Sequence, residues 1–107
     1  MRVQLLYFDG CPDWELAQAR LRDALVAVGA VDTIELVEVT SQEDAERLGF
    51  RGSPSVMVNG RDLFGQPDAD LGLACRVYST PEGLGGAPTT EQLIAALADA
   101  AAGPDAP

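Results

Sequence analysis

Residues 2–8, Arg-Val-Gln-Leu-Leu-Tyr-Phe, are rich in strand-favouring types and stop at the turn pair Asp9-Gly10, which predicts a buried first strand. The pattern then changes period. Trp14, Ala17, Leu21, Leu25 and Val28 recur at spacings of three and four, while Arg20, Arg22 and Asp23 fall largely off that face, which predicts a helix over 12–28. Pro12 suits the first turn because its missing N–H has no intrahelical partner there, Asp13 and Glu15 suit the positive end of the dipole, and Gly29 supplies the stop.

Thr33 to Val39 predicts a second strand, with Ile34 and Leu36 on one face and Val37 and Val39 on the other; apolar residues on both faces point to a central place in the sheet. Thr40 followed by Glu43 has the spacing of a capping box and opens a short helix to Leu48, ended by Gly49. Ser55 to Val58, Asn59-Gly60 and Arg61 to Phe64 form the strongest hairpin signal in the chain, since Asn-Gly accepts the positive φ angles of a type I′ turn. Thr89 with Gln92 is a second capping box, followed by Leu93, Ile94, Leu97 and Ala101 on a final helix to about Ala102; the tail from Gly103 to Pro107 is expected to fray. The order is β-α-β-α-β-β-α in one domain over 1–102, an α/β chain with a four-stranded mixed sheet and helices on both faces. Between Gly65 and Pro88 lies a connection longer than a compact domain ordinarily carries without a purpose, broken by the short segment Cys75-Arg76-Val77-Tyr78. Gly83-Leu84-Gly85-Gly86 within it lacks the full fingerprint of a phosphate cradle and reads as a flexible loop, and Asp62, Asp68 and Asp70 read as solvated surface.

Composition narrows the chemistry. The 107 residues contain no histidine, and all seven of their basic residues are arginines. Ser-His-Asp triads, Cys-His pairs, zinc-binding histidine motifs and Schiff-base lysines are therefore excluded. Seventeen acidic residues and a net charge of -10 make nucleic acid an improbable partner, because affinity for phosphate backbones rests on cations. The longest apolar run, Ala24 to Val31, falls far short of the ~20 residues that span a bilayer, and residues 1–9 lack a signal-peptide pattern, so no membrane association and a cytoplasmic location are expected. In that compartment two cysteines are expected to be reduced and reactive, or metal-binding, rather than a staple.

Cys11 follows the first strand and is expected at the N-cap or first turn of the first helix, where unpaired N–H groups favour a thiolate and Asp9 and Asp13 oppose it. That turn position argues against deep burial and makes Cys11 the faster of the two cysteines toward an alkylating reagent. The strand, Cys11-Pro12-Asp13-Trp14 opening a helix, and Gly49 to Val56 before a hairpin together resemble the thioredoxin-like superfamily, over roughly residues 2–64 and the last helix. The resemblance implies a three-layer sandwich, a cis proline at Pro54, and a Ser53 backbone turned toward Cys11 where an extended thiol-bearing partner can pair; an X-Pro bond disfavours cis by only ~0.5–1 kcal/mol. It also implies that Pro12, Trp14, Ser53 and Pro54 line the substrate site.

Trp14 stands where the family has its second cysteine, so the motif is a monothiol one, as in some glutaredoxin-like members, with Trp14 screening the sulfur or anchoring the helix. Cys75 has no counterpart in ordinary thioredoxins. If its segment folds back over the first helix, Cys75 can resolve a mixed disulfide formed at Cys11, or both thiolates can clasp one soft metal ion. A distant cysteine pair with an aspartate is similar, more remotely, to the organomercurial lyases, in which case Cys11 and Cys75 hold mercury and Asp13 is the acid, one residue closer to the cysteine than that family's spacing. The expectation is thus a thiol–disulfide oxidoreductase acting on a small or protein thiol or disulfide and needing no cofactor; the alternatives are a soft-metal thiolate site and a redox-inactive adaptor.

Overall fold

The computed structural model describes residues 2–30, 33–65 and 72–102. Strand β1 (Val3–Tyr7) is followed by α1 (Trp14–Ala27), β2 (Ile34–Glu38), α2 (Gln42–Leu48), β3 (Ser55–Val58), β4 (Arg61–Asp62), β5 (Tyr78–Thr80), β6 (Gly83–Gly85) and α3 (Thr90–Ala102). The main sheet has the order β2-β1-β3-β4. β1 runs parallel to β2, with Leu5 opposite Leu36, and antiparallel to β3, with Leu5 opposite Val56. A parallel pair requires a crossover, and α1 supplies it.

Alternation along the two central strands divides the core. Val3 and Leu5 of β1 with Val56 and Val58 of β3 face Ala17, Leu21, Ala24 and Leu25 of α1 and Leu93 and Leu97 of α3. Leu6 and Met57 point the other way, onto Ala45 of α2 with Val39 and Phe50. Helices therefore cover both faces of a mixed four-stranded sheet. The residues expected off the apolar face of α1 are indeed outside the core, and Arg20 donates to the Pro88 carbonyl at 2.9 Å.

β2 departs from expectation. It lies at an edge, and Leu36 is 42% exposed, so its apolar residues on two faces do not signal a central strand. That role belongs to β1 and β3, each flanked on both sides. The Asn59-Gly60 turn is as expected, with both residues at positive φ.

α2 is capped one residue later than the pattern indicates. Ser41, in extended backbone, accepts from the Asp44 N–H at 3.1 Å, while the Thr40 hydroxyl donates outward to the Asp44 carboxylate. The Thr89–Gln92 box forms reciprocally: Thr89 Oγ1 accepts from the Gln92 N–H and Gln92 Oε1 from the Thr89 N–H. Gly83-Leu84-Gly85, expected as part of a flexible loop, is instead a strand, because Tyr78–Thr80 and Gly83–Gly85 pair as a two-stranded hairpin. Residues 103–107, Asp68, Asp70 and the Ala101 side chain lie outside the described set.

Replacing Ser41 by Ala is expected to cost about 1 kcal/mol, and Thr40 by Ala only a few tenths, since only Ser41 satisfies an orphan helix N–H. Urea unfolding of the two variants checks the assignment; equal costs contradict it.

Candidate functional site: the Cys11–Cys75 disulfide beside the Ser53–Pro54 turn

Cys11 lies two residues before Asp13, the residue that caps α1, rather than in the helix itself. Its N–H donates to the Phe8 carbonyl at 3.0 Å and closes the turn leaving β1. Pro12 and Asp13 are exposed, whereas Cys11 is only 1% exposed. The expectation of a shallow cysteine at the N-cap or in the first turn of the helix is therefore corrected on both counts. The turn closed by the Cys11 N–H carries the Cys11 side chain into the interior.

Cys75 arrives from the other side and is joined to Cys11 by a disulfide, with Cα atoms 5.7 Å apart across 64 residues of chain. Both thiols are thus oxidised rather than held reduced. The two half-cystines are unequally accessible: Cys11 is buried and Cys75 is an exposed residue.

The third member is the Gly52–Ser53–Pro54 turn, whose Ser53–Pro54 bond is cis, as the resemblance implied. Ser53 and Cys75 form a parallel bridge: the Ser53 N–H donates to the Ala74 carbonyl at 2.7 Å and the Arg76 N–H donates to the Ser53 carbonyl at 2.9 Å. One turn earlier the Gly72 N–H donates to the Phe50 carbonyl at 3.2 Å. Gly52 is required at this approach, because its φ is +114° and a Cβ there would lie 3.0 Å from Arg76 Cβ and 3.2 Å from the Arg76 backbone. Ser53 and Pro54, expected to line a substrate site, are buried against the chain's own 72–76 segment.

Arg76 fastens that segment. Its guanidinium is 1% exposed and reaches Asp62 of β4 at 2.6 and 3.2 Å, Ser55 Oγ at 3.1 Å, and the Tyr78 ring at 4.9 Å. A fork of donors on a carboxylate is the geometry in which a buried guanidinium is best compensated. Asp62 is accordingly not a solvated surface acid. Tyr78 donates its hydroxyl to the Pro54 carbonyl at 2.5 Å and packs edge-on against Phe64. Burial, opposed in part by the Arg76 charge, pushes its phenol well above the ordinary value of 10.0, so it remains a donor. Among the described residues, Ser53 Oγ and Arg76 Nε are buried without a hydrogen-bond partner, and both belong to this contact.

Trp14 stacks on Tyr7 of β1 with ring centroids 4.2 Å apart and packs half-buried on the core, which is the anchoring role weighed for it. Asp13 caps nothing with its side chain, and its carboxylate lies against Gly86 at the end of the β5–β6 hairpin. The two cysteines, Ser53 and Pro54 are thus brought together. Among the described residues no group of three or more His, Cys, Asp or Glu forms a metal site, and no helix is long and apolar enough to cross a membrane. The Arg76–Asp62–Ser55 network was invisible in the sequence: its members are 7 to 21 positions apart, and only the Arg76 neighbour of Cys75 hinted at it. Comparison with protein-family models, with curated proteins and with solved structures returns no match.

Asp62→Asn is expected to destabilise the oxidised protein by about 3 kcal/mol, because it leaves a buried guanidinium without its counter-charge. Denaturant unfolding measures it, and a cost below that of an ordinary surface substitution contradicts the clamp. A pH series tests Tyr78 separately. Its raised pKa means that the folded state retains a proton the unfolded state gives up, so its contribution is intact below pH 10.0 and lost as the pH rises beyond it. Tyr78→Phe should flatten that alkaline loss; an unchanged slope contradicts the assignment.

Proposed function

We propose that the protein is a thioredoxin-like thiol–disulfide oxidoreductase whose working couple is the Cys11–Cys75 pair. The observation that carries this reading is the exposed half-cystine, Cys75, joined to a buried one, Cys11, directly against the Ser53–Pro54 turn. Exposed disulfides are the labile and catalytic ones, whereas structural bridges resist reduction. The arrangement replaces the second cysteine of the thioredoxin-like motif, lost to Trp14, by one delivered from a distant segment.

Exchange at such a pair needs no cofactor. A dithiol substrate gives up two electrons and its two protons to the Cys11–Cys75 bond and leaves as a disulfide. Run in reverse, the reduced pair opens a substrate disulfide and closes its own. The burial of Cys11 keeps its thiolate from stray partners between the two halves of the cycle.

A second reading, a soft-metal clasp, is favoured by the same proximity: two cysteines whose Cα atoms stand 5.7 Å apart can, once reduced, offer two thiolates to one ion such as mercury. It supplies binding without turnover. An organomercurial-lyase-like cleavage would also need Asp13 as acid, and the contact of Asp13 with Gly86 gives that step no support.

The test is equilibration of the oxidised protein in graded thiol–disulfide buffers, followed by mass spectrometry and by the emission of its single tryptophan, Trp14. A reversible two-electron couple is expected, together with accelerated dithiol oxidation that falls to the uncatalysed rate in Cys11→Ser and Cys75→Ser. A pair that stays oxidised throughout, whose removal costs about 4 kcal/mol of stability and no activity, would instead be a staple closing a long loop. Tight one-to-one mercury binding by the reduced protein without accelerated exchange would favour the clasp, and indifference of every readout to both cysteines would leave an adaptor.

A further inference from the structure

The thioredoxin-like resemblance implies an extended partner paired beside the Ser53–Pro54 turn, and pairing by strand addition needs an unpaired N–H and C=O. Here both groups of Ser53 are taken. Its N–H is held by Ala74 and its carbonyl by Arg76, and the Gly72 bond to Phe50 continues the contact along the loop. From these contacts we infer that the chain permanently fills its own partner-binding edge with residues 72–76, and that the substrate is a low-molecular-weight thiol or disulfide that meets the protein at Cys75, not an extended polypeptide paired at Ser53. This rests on the oxidoreductase reading and specifies its substrate class.

Permanence follows from what holds the segment. Besides the disulfide, four attachments keep residues 74–78 in place: the Ser53 backbone pair, the Arg76 fork on Asp62, the Arg76 bond to Ser55, and the Tyr78 bond to the Pro54 carbonyl. None of these involves sulfur. Opening the Cys11–Cys75 bond therefore leaves the segment docked, and the Ser53 edge stays closed in both redox states.

The chemistry is then ordered by access. A small thiolate attacks Sγ of Cys75, the exposed half-cystine; the bond to Cys11 breaks, and Cys11 leaves as a thiolate that takes up a proton. A second small thiolate attacks the substrate sulfur of the mixed disulfide, forming the small-molecule disulfide and releasing Cys75. Two thiols are oxidised and one protein disulfide is reduced. The same steps reversed make Cys75 the attacking thiolate and Cys11 the resolving one, the opposite of an order in which Cys11 attacks and Cys75 resolves.

Two measurements on the whole chain decide this. Amide hydrogen exchange is compared between the oxidised and reduced protein at Ser53 and Arg76, the two donors of the edge; their protection should agree within about tenfold, and loss of protection on reduction overturns the inference. Oxidised protein is also reacted with 2-mercaptoethanol and with a neutral extended peptide carrying one central cysteine. Rates are taken per thiolate, and the products are quenched by alkylation for mass spectrometry. The peptide should be no more than about threefold faster, with the adduct on Cys75 and the alkyl group on Cys11. A peptide advantage above about tenfold, or an adduct on Cys11, overturns the inference while leaving the redox reading intact. Failure of both thiols to react overturns the redox reading itself.

Discussion

A guanidinium removed from water must find its counter-charge, and the geometry around the sulfurs is arranged by that requirement. The Arg76 side chain is 1% exposed and its carboxylate partner, Asp62, stands at the end of the β3–β4 hairpin. Reaching it draws residues 74–78 down across the Gly52–Pro54 turn, where backbone groups pair and the Tyr78 hydroxyl meets the Pro54 carbonyl. A buried charge pair of this kind contributes little net stability over a well-packed apolar one, yet breaking it is costly, so its effect is to specify one position for the segment. Cys75, adjacent to Arg76, is carried to Cys11 as a consequence.

The approach is possible because nothing stands in its way at the turn. Gly52 has no Cβ to strike the Arg76 backbone, and its left-handed φ aims Ser53 at the incoming strand. On the opposite side, Trp14 is stacked on Tyr7 and so fixes the start of α1 to the central strand, which holds the Cys11 turn against the sheet. Each half-cystine is thus mounted on a separate rigid support. The two cysteine residues are unequally exposed on these mounts: Cys11, in the β1–α1 turn, is buried, and Cys75, in the 72–76 segment, is exposed.

Much of this was legible in the residues. The strand-favouring run at β1, the Asn59-Gly60 turn, the Thr89–Gln92 box and the three-and-four spacing of α1 each report a local preference that the packed chain keeps. Where two neighbours compete for the same local role, pattern alone misassigns it: Thr40 and Ser41 are both capable caps, and only backbone geometry selects Ser41. β2 lies at the edge, against its pattern, for a related reason. Apolar residues on both faces describe what a strand is able to bury, not how many neighbours it has, and Leu36 is left 42% exposed at the edge.

What the sequence by itself determined was the three helices and the four strands of the main sheet with their order, the absence of histidine and lysine chemistry, and the residues around which a site can form: Cys11, Cys75, Ser53 and Pro54. Those are consequences of side-chain type and near-neighbour spacing. Tertiary structure alone decided that the two cysteines meet, that Cys11 is the buried one, that Asp62 serves Arg76 rather than solvent, and that residues 72–76 occupy the Ser53 edge. Contacts across 14 to 64 positions leave no periodic trace, because they arise from compensating a buried charge and pairing buried backbone groups, requirements that exist only once the chain has excluded water.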